Sequence, residues 1–154
     1  MNELEGYRYR GARALVMLHE RELRAFLATW RRAVAWGVVL PANGHHDATP
    51  AAVLRHVLGA AGGYLRWVTT RLGLPDPGID PVPDVGMIEA EASDYLEHLL
   101  ERWRTPLRDV PKERFGERYA TSGSEERTIE AMLEHAVVHP MRHAFQLEEL
   151  MTPN

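Results

Sequence analysis

Histidine recurs every fourth residue near the C-terminal end of this chain, at His135, His139 and His143, inside an apolar stretch with helical spacing. Residues four apart on an α-helix lie on one face, with Cβ atoms about 5–6 Å apart. Two imidazoles so placed can share one metal ion through bonds of about 2.0–2.1 Å. Three cannot, because His135 and His143 stand about 12 Å apart along the axis. One adjacent pair is therefore the candidate, and other parts of the chain must supply a further ligand and a pocket. The chain holds no cysteine. That removes thiolate ligands, disulfides and a cysteine nucleophile, and leaves imidazole, carboxylate and water to build a site.

The elements that must position these histidines read as four amphipathic helices. The first is expected over residues 12–35, with Val16, His19, Leu23, Phe26, Leu27, Trp30 and Val34 on its apolar stripe. His19 sits on the stripe itself, which reads most simply as a core-edge histidine with a hydrogen-bond partner. The second helix starts at Thr49-Pro50, a capping threonine followed by a proline whose missing N–H does no harm there, and runs to about residue 72. His56 stands about seven residues into it. Gly59, Gly62 and Gly63 follow, each costing roughly 0.8–1 kcal/mol relative to alanine inside a helix. Close helix packing would account for them, and so would a hole kept open beside His56 for a substrate, with Gly63 on the His56 side.

Residues 73–86 carry Pro75, Pro77, Pro81 and Pro83. Such a stiff connection is too long for a tight helical hairpin and could lead the chain back along the bundle. A third helix follows over residues 86–107, with Ile88, Ala92, Tyr95, Leu96, Leu99 and Trp103 inward. His98 falls off that stripe and is expected to be exposed. Residues 108–127 are polar, and only Arg118-Tyr119-Ala120 hints at an extended piece. The fourth helix spans residues 128–151 and contains Pro140, which is expected to bend it between His139 and His143. With no strand pattern of any length and no internal repeat, residues 1–154 read as a single all-α domain. The architecture expected is a four-helix bundle with long connections between helices.

Helix direction decides which histidines can meet. If the proline-rich connection makes the bundle up-down-down-up, the fourth helix runs antiparallel to the second. His56 then lies level with His143, and His139 is one turn behind. In a simple up-down-up-down bundle the two helices are parallel and His135 with His139 would match instead. The crossover favours the first arrangement.

The pattern His-x-x-x-His-x-x-x-His-x-x-Gln at His135, His139, His143 and Gln146, with a lone histidine early in the second helix, resembles the DinB/YfiT-like metalloenzymes. The resemblance spans essentially the whole chain in element order. It implies an up-down-down-up bundle and a divalent metal ion held by His56, His139 and His143, with His135 and Gln146 beside the site. Zinc or nickel is the ion the resemblance implies first, with iron or manganese as further candidates, and a homodimer is the expected assembly. Some members are transferases for low-molecular-weight thiols, and one is a thiol-dependent isomerase. Where the family often shows His-Arg-Gly-Gln, this chain has His143-Ala144-Phe145-Gln146.

Other chemistries fit less well. A di-iron bundle needs Glu-x-x-His on two helices, and no histidine here has a glutamate three residues before it. His19-Glu20 is followed by Arg21-Glu22-Leu23, so the His-Glu-x-x-His protease motif is absent. Seventeen arginines and Lys112 are spread along a chain of net charge -4, which argues against a nucleic-acid partner. Tyr7-Arg8-Tyr9-Arg10 is expected to be a solvated segment, and His45-His46 a solvated loop pair that could line a pocket mouth. No run approaches the roughly 18 apolar residues of a membrane span, and the N-terminus does not read as a signal peptide, so the expected location is cytoplasmic.

Two functions from different classes follow. One is a metal-dependent transferase or hydrolase acting on a small-molecule substrate, with a low-molecular-weight thiol suggested by the resemblance. The other is a stress-response protein that binds a metal or small molecule without turnover. Three imidazoles would leave a coordination position open, the pattern of a catalytic site. No catalytic base is identified; His19 and Glu134 are the candidates.

Overall fold

Two threonines set the start of the helices that carry the converging histidines. Thr49 accepts the Ala52 N–H at 3.1 Å and Thr128 accepts the Ala131 N–H at 2.9 Å, each occupying a donor that a helix start leaves unsatisfied. In the computed structural model, which describes residues 2–41 and 49–152, four helices form. They are α1 (Arg10–Trp36), α2 (Pro50–Arg71), α3 (Val85–Arg104) and α4 (Ile129–Leu150). At Gly37 a left-handed residue (φ 86°) ends α1, its N–H donating to the Ala33 and Val34 carbonyls. The end of α3 falls three residues before the expected 107, because Thr105 precedes Pro106 and the residue before proline disfavours helical backbone. Pro140 is buried within α4, and the helix is continuous across it.

Core packing gives the helix directions. One core layer joins Phe26 and Trp30 from late α1, Leu54 and Leu58 from early α2, Ile88 and Leu96 from α3, and Leu147 from late α4. The other joins Val16 from early α1, Leu65 and Val68 from late α2, Trp103 from the end of α3, and Ile129 and Leu133 from early α4. Hence α1 and α4 run one way and α2 and α3 the other, the up-down-down-up arrangement. Each fully buried Leu or Phe in these layers contributes about 1.5–3 kcal/mol relative to exposure. Trp103, 2% exposed, donates its indole N–H to the Ala61 carbonyl at 3.1 Å, so the polar atom of this large core residue is satisfied.

The connection between α2 and α3 lies against the bundle. His98 accepts the Asp80 N–H at 2.9 Å, Tyr95 donates its hydroxyl to the Asp80 carbonyl at 2.7 Å, and Arg55 donates to the Pro83 carbonyl at 2.9 Å. His98 is therefore half-buried rather than exposed: the face it occupies is covered by a segment whose path the helical period does not reveal. The same segment accounts for Gly62, whereas at Gly59 it would make only ordinary contact. A Cβ on Gly62 would lie 2.9 Å from Ile79 Cγ2, and one on Gly59 would touch Val82 at 3.5 Å.

One further segment departs from expectation. Tyr7 is buried and donates to the Arg104 carbonyl, and Tyr9 donates to Glu130 and packs on Phe115 at 5.0 Å between ring centroids. The N-terminal segment is thus docked across α3 and α4 instead of solvated. Between α3 and α4, after a short 3₁₀ turn (Lys112–Gly116), strands β1 (Arg118–Ala120) and β2 (Glu126–Thr128) pair antiparallel, with Tyr119 opposite Arg127. Strand β1 occupies the Arg118-Tyr119-Ala120 stretch that the sequence marks as extended, whereas β2, three residues with one exposed and two half-buried, carries too little alternation to stand out.

Candidate metal centre

Antiparallel packing of α2 on α4 brings His56 against the His139–His143 pair. The Nε2 atoms of His56 and His139 are 3.1 Å apart, and the ring centroid of His143 lies 5.1 Å from that of His56 and 4.7 Å from that of His139. One ring nitrogen from each of the three lies within 4.8 Å of the other two. Two nitrogens bound to one ion at about 2.05 Å, with an angle between tetrahedral and octahedral, stand about 2.9–3.4 Å apart. The His56–His139 spacing falls inside that interval, so the three imidazoles fit a shared metal ion and could hold one.

Electrostatics keep the central member in the form a metal needs. His139 is pushed down to about 3, first by burial and then by the charges of His143, His56, His135 and Arg142. A metal ligand must be neutral imidazole, and at neutral pH His139 is. Its Nδ1 is enclosed without a protein hydrogen-bond partner among the described residues.

The remaining sequence candidates are distributed around this group. His135, half-buried one turn earlier on α4, sits with its ring centroid 6.1 Å from that of His139; burial lowers it, with Arg127 and Arg142 adding to the effect. Gly63 faces open space, since a Cβ there would meet nothing within 4 Å. Gln146 and Glu134 are exposed. His19 is 1% exposed, packed on Trp103 with centroids 4.2 Å apart, and neither of its ring nitrogens has a partner among the described residues. It is a core residue of α1, but it lacks the hydrogen-bond partner expected of one. His45 and His46 lie outside the described residues.

Sequence reasoning passed over Tyr64. Its ring meets His135 edge-on at 5.2 Å and His139 at 5.6 Å, closing the side of the group towards β1 and β2. The signal was present: Tyr64 is eight residues from His56 and so two turns along the same face. Burial raises its phenol, with Arg127 and Arg142 acting in the opposite direction.

Fold and site together define a helical bundle whose three-histidine group could hold a metal ion. The chain belongs to the DinB superfamily, whose family model matches residues 18–147. Comparison with curated proteins and with solved structures returned no match. No helix among the described residues is long and apolar enough to cross a membrane.

Proposed function

We propose that this protein is a divalent-metal enzyme that uses His56, His139 and His143 to bind its ion and transforms a small-molecule substrate by transfer or hydrolysis. The 3.1 Å approach of His56 Nε2 to His139 Nε2, with His143 closing the group, is the observation behind this reading. Imidazole nitrogens suit zinc and nickel, with iron or manganese as further candidates. When bound, such an ion would supply Lewis-acid activation of a water or of a substrate thiol, and a low-molecular-weight thiol is the co-substrate favoured by the family resemblance. The chain's own residues hold the His139 imidazole neutral and the three rings together, wall the group with Tyr64 and His135, and leave space beside Gly63. A homodimer in the cytoplasm completes the reading. Val138, Met141 and Phe145, exposed along α4, give a second copy an apolar face to cover.

Elemental analysis of gently purified protein tests the ion. One equivalent of zinc or nickel is expected, lost on chelation and lost in acid as protons compete for the imidazole nitrogens, with His139 resisting protonation until about 3. Full occupancy down to about pH 2 would contradict histidine ligation. A second reading, a metal-binding protein without turnover, is favoured by one feature: no carboxylate among the described residues joins the histidine group to act as a base. Supplying a thiol and an electrophile and measuring metal-dependent product separates the two.

A further inference from the structure

Tyr64 and His135, whose ring centroids lie 5.6 Å and 6.1 Å from that of His139, also line a cleft of about 320 Å³ beside the turn between β1 and β2, with Ser122, Arg127 and Met132 on its other sides. Arg127 sets its chemistry. Most arginines of the bundle are held by a carboxylate or a carbonyl, as Arg24 is by Glu97 at 2.5 Å and Arg114 by Glu117 at 3.0 Å. The Arg127 side chain has neither an ion pair nor a hydrogen bond among the described residues, although it is half-buried. The other arginines in that condition (Arg10, Arg66, Arg102, Arg118 and Arg142) are all exposed, where water solvates them.

The placement of Arg127 is not accidental to a loose loop. Its backbone is paired with Tyr119 across the hairpin, which fixes the point from which the side chain enters the cleft lining. Glu125 borders the same cleft, but it is exposed and forms no ion pair with Arg127. A half-buried guanidinium without a counter-ion, beside hydroxyl groups, suits an anion delivered by a ligand, and its planar fork matches a carboxylate. One guanidinium balances the single charge of a carboxylate, whereas a phosphate dianion would find no second cation lining the cleft.

We infer that this cleft takes the carboxylate end of a small organic substrate whose reacting group lies at His56, His139 and His143, with Arg127 as counter-ion and the Tyr64 and Ser122 hydroxyls as neutral partners. The inference rests on the metal-centre reading proposed above and adds the substrate's charge and orientation to it. The separation required is modest: His135 is one helical turn, about 5.4 Å, from His139, a length that a four-carbon chain spans.

The test uses the full chain loaded with cobalt(II), whose visible spectrum reports ligands entering the site. It is titrated with 4-mercaptobutyrate and with 4-mercaptobutanol, which have equal carbon chains and differ in charge. The carboxylate is expected to bind about tenfold more tightly, the size of one charge-assisted pair partly exposed to water. Arg127→Gln should bring the ratio to about one while leaving cobalt stoichiometry and the affinity for the alcohol unchanged, and Arg127→Lys should retain part of the preference. Equal affinities in the unaltered protein, or an undiminished ratio in Arg127→Gln, would overturn the inference alone. A chain that takes up no cobalt would overturn the metal centre and this inference with it.

Discussion

His19 and His139 face the same bundle interior from α1 and α4, and they show how different two buried histidines can be. The helices are parallel, with Tyr9 meeting Glu130 and Arg32 approaching Glu148 at 3.9 Å, which sets His19 level with residues 135–140 of α4. Both imidazoles are pushed down to about 3. For His19 the cause is burial first, with the His139 charge second; for His139 burial is followed by a whole group of imidazoles. His19 packs on Trp103 with both nitrogens unpaired among the described residues, whereas His139 turns Nε2 towards His56 at 3.1 Å. A depressed imidazole therefore marks dehydration, and only the convergence of donor atoms marks a site.

The largest effect should come from breaking that convergence. His139→Ala removes the central donor and is expected to lower metal affinity by at least about a hundredfold, since the two remaining imidazoles come from different helices and lose their bridge. His56→Ala and His143→Ala should act in the same direction. His19→Phe should leave one equivalent of metal in place. Retention of tight metal by His139→Ala, read by elemental analysis after gel filtration, would erase the distinction between the two histidines.

Much of this distinction could be read from the chain before its fold. Thr49 marks where α2 begins, and the proline-rich connection favours an antiparallel α4, an arrangement in which axial levels pair His56 with His143 and His139, the same three residues that the family resemblance implies. What the period could not show depends on partners distant in sequence. Tyr7 finds the Arg104 carbonyl and Tyr9 finds Glu130, and nothing near Tyr7-Arg8-Tyr9-Arg10 announces either. His98 was misplaced because Asp80 reaches it from a segment with no period at all. Arg127 belongs to a strand of three residues, so its position over the cleft appears only when the hairpin is folded.

The next effect concerns pH and the unpaired state of His19. A neutral imidazole carries one N–H, and leaving that donor buried without a partner costs about 1–3 kcal/mol. Phenylalanine stacks on Trp103 with no such donor, so His19→Phe is not expected to destabilise the fold at pH 7. In acid the variant should gain. Folded His19 binds a proton only near pH 3, whereas in the unfolded chain it does so near 6.5. Stability is therefore complete above about 6.5 and falls as pH drops towards 3, by up to about 1.4 kcal/mol per pH unit for this residue. Urea titrations of metal-free protein between pH 7 and 4 should show a shallower decline in His19→Phe than in the unaltered chain. Parallel declines would mean that His19 finds a partner in solution, and that burial is not what separates it from His139.

The smallest effect contrasts two adjacent glycines on α2, one facing the core side and one the site side. Both carry the helix-interior penalty of about 0.8–1 kcal/mol relative to alanine. Gly63→Ala should recover it in full, because the new Cβ meets nothing within 4 Å. Gly62→Ala places its Cβ 2.9 Å from Ile79 Cγ2, and Ile79 belongs to the connection that His98, Tyr95 and Arg55 hold in place, so the methyl cannot be accommodated by a simple side-chain rotation. Gly63→Ala is therefore expected to be the more stable of the two by about 1 kcal/mol or more in chemical unfolding, with metal content unchanged in both. If the two variants proved equally stable, the connection would be yielding at Ile79. The Gly62 position would then be as open as the Gly63 position, and close packing would no longer explain why α2 keeps a glycine on its core side.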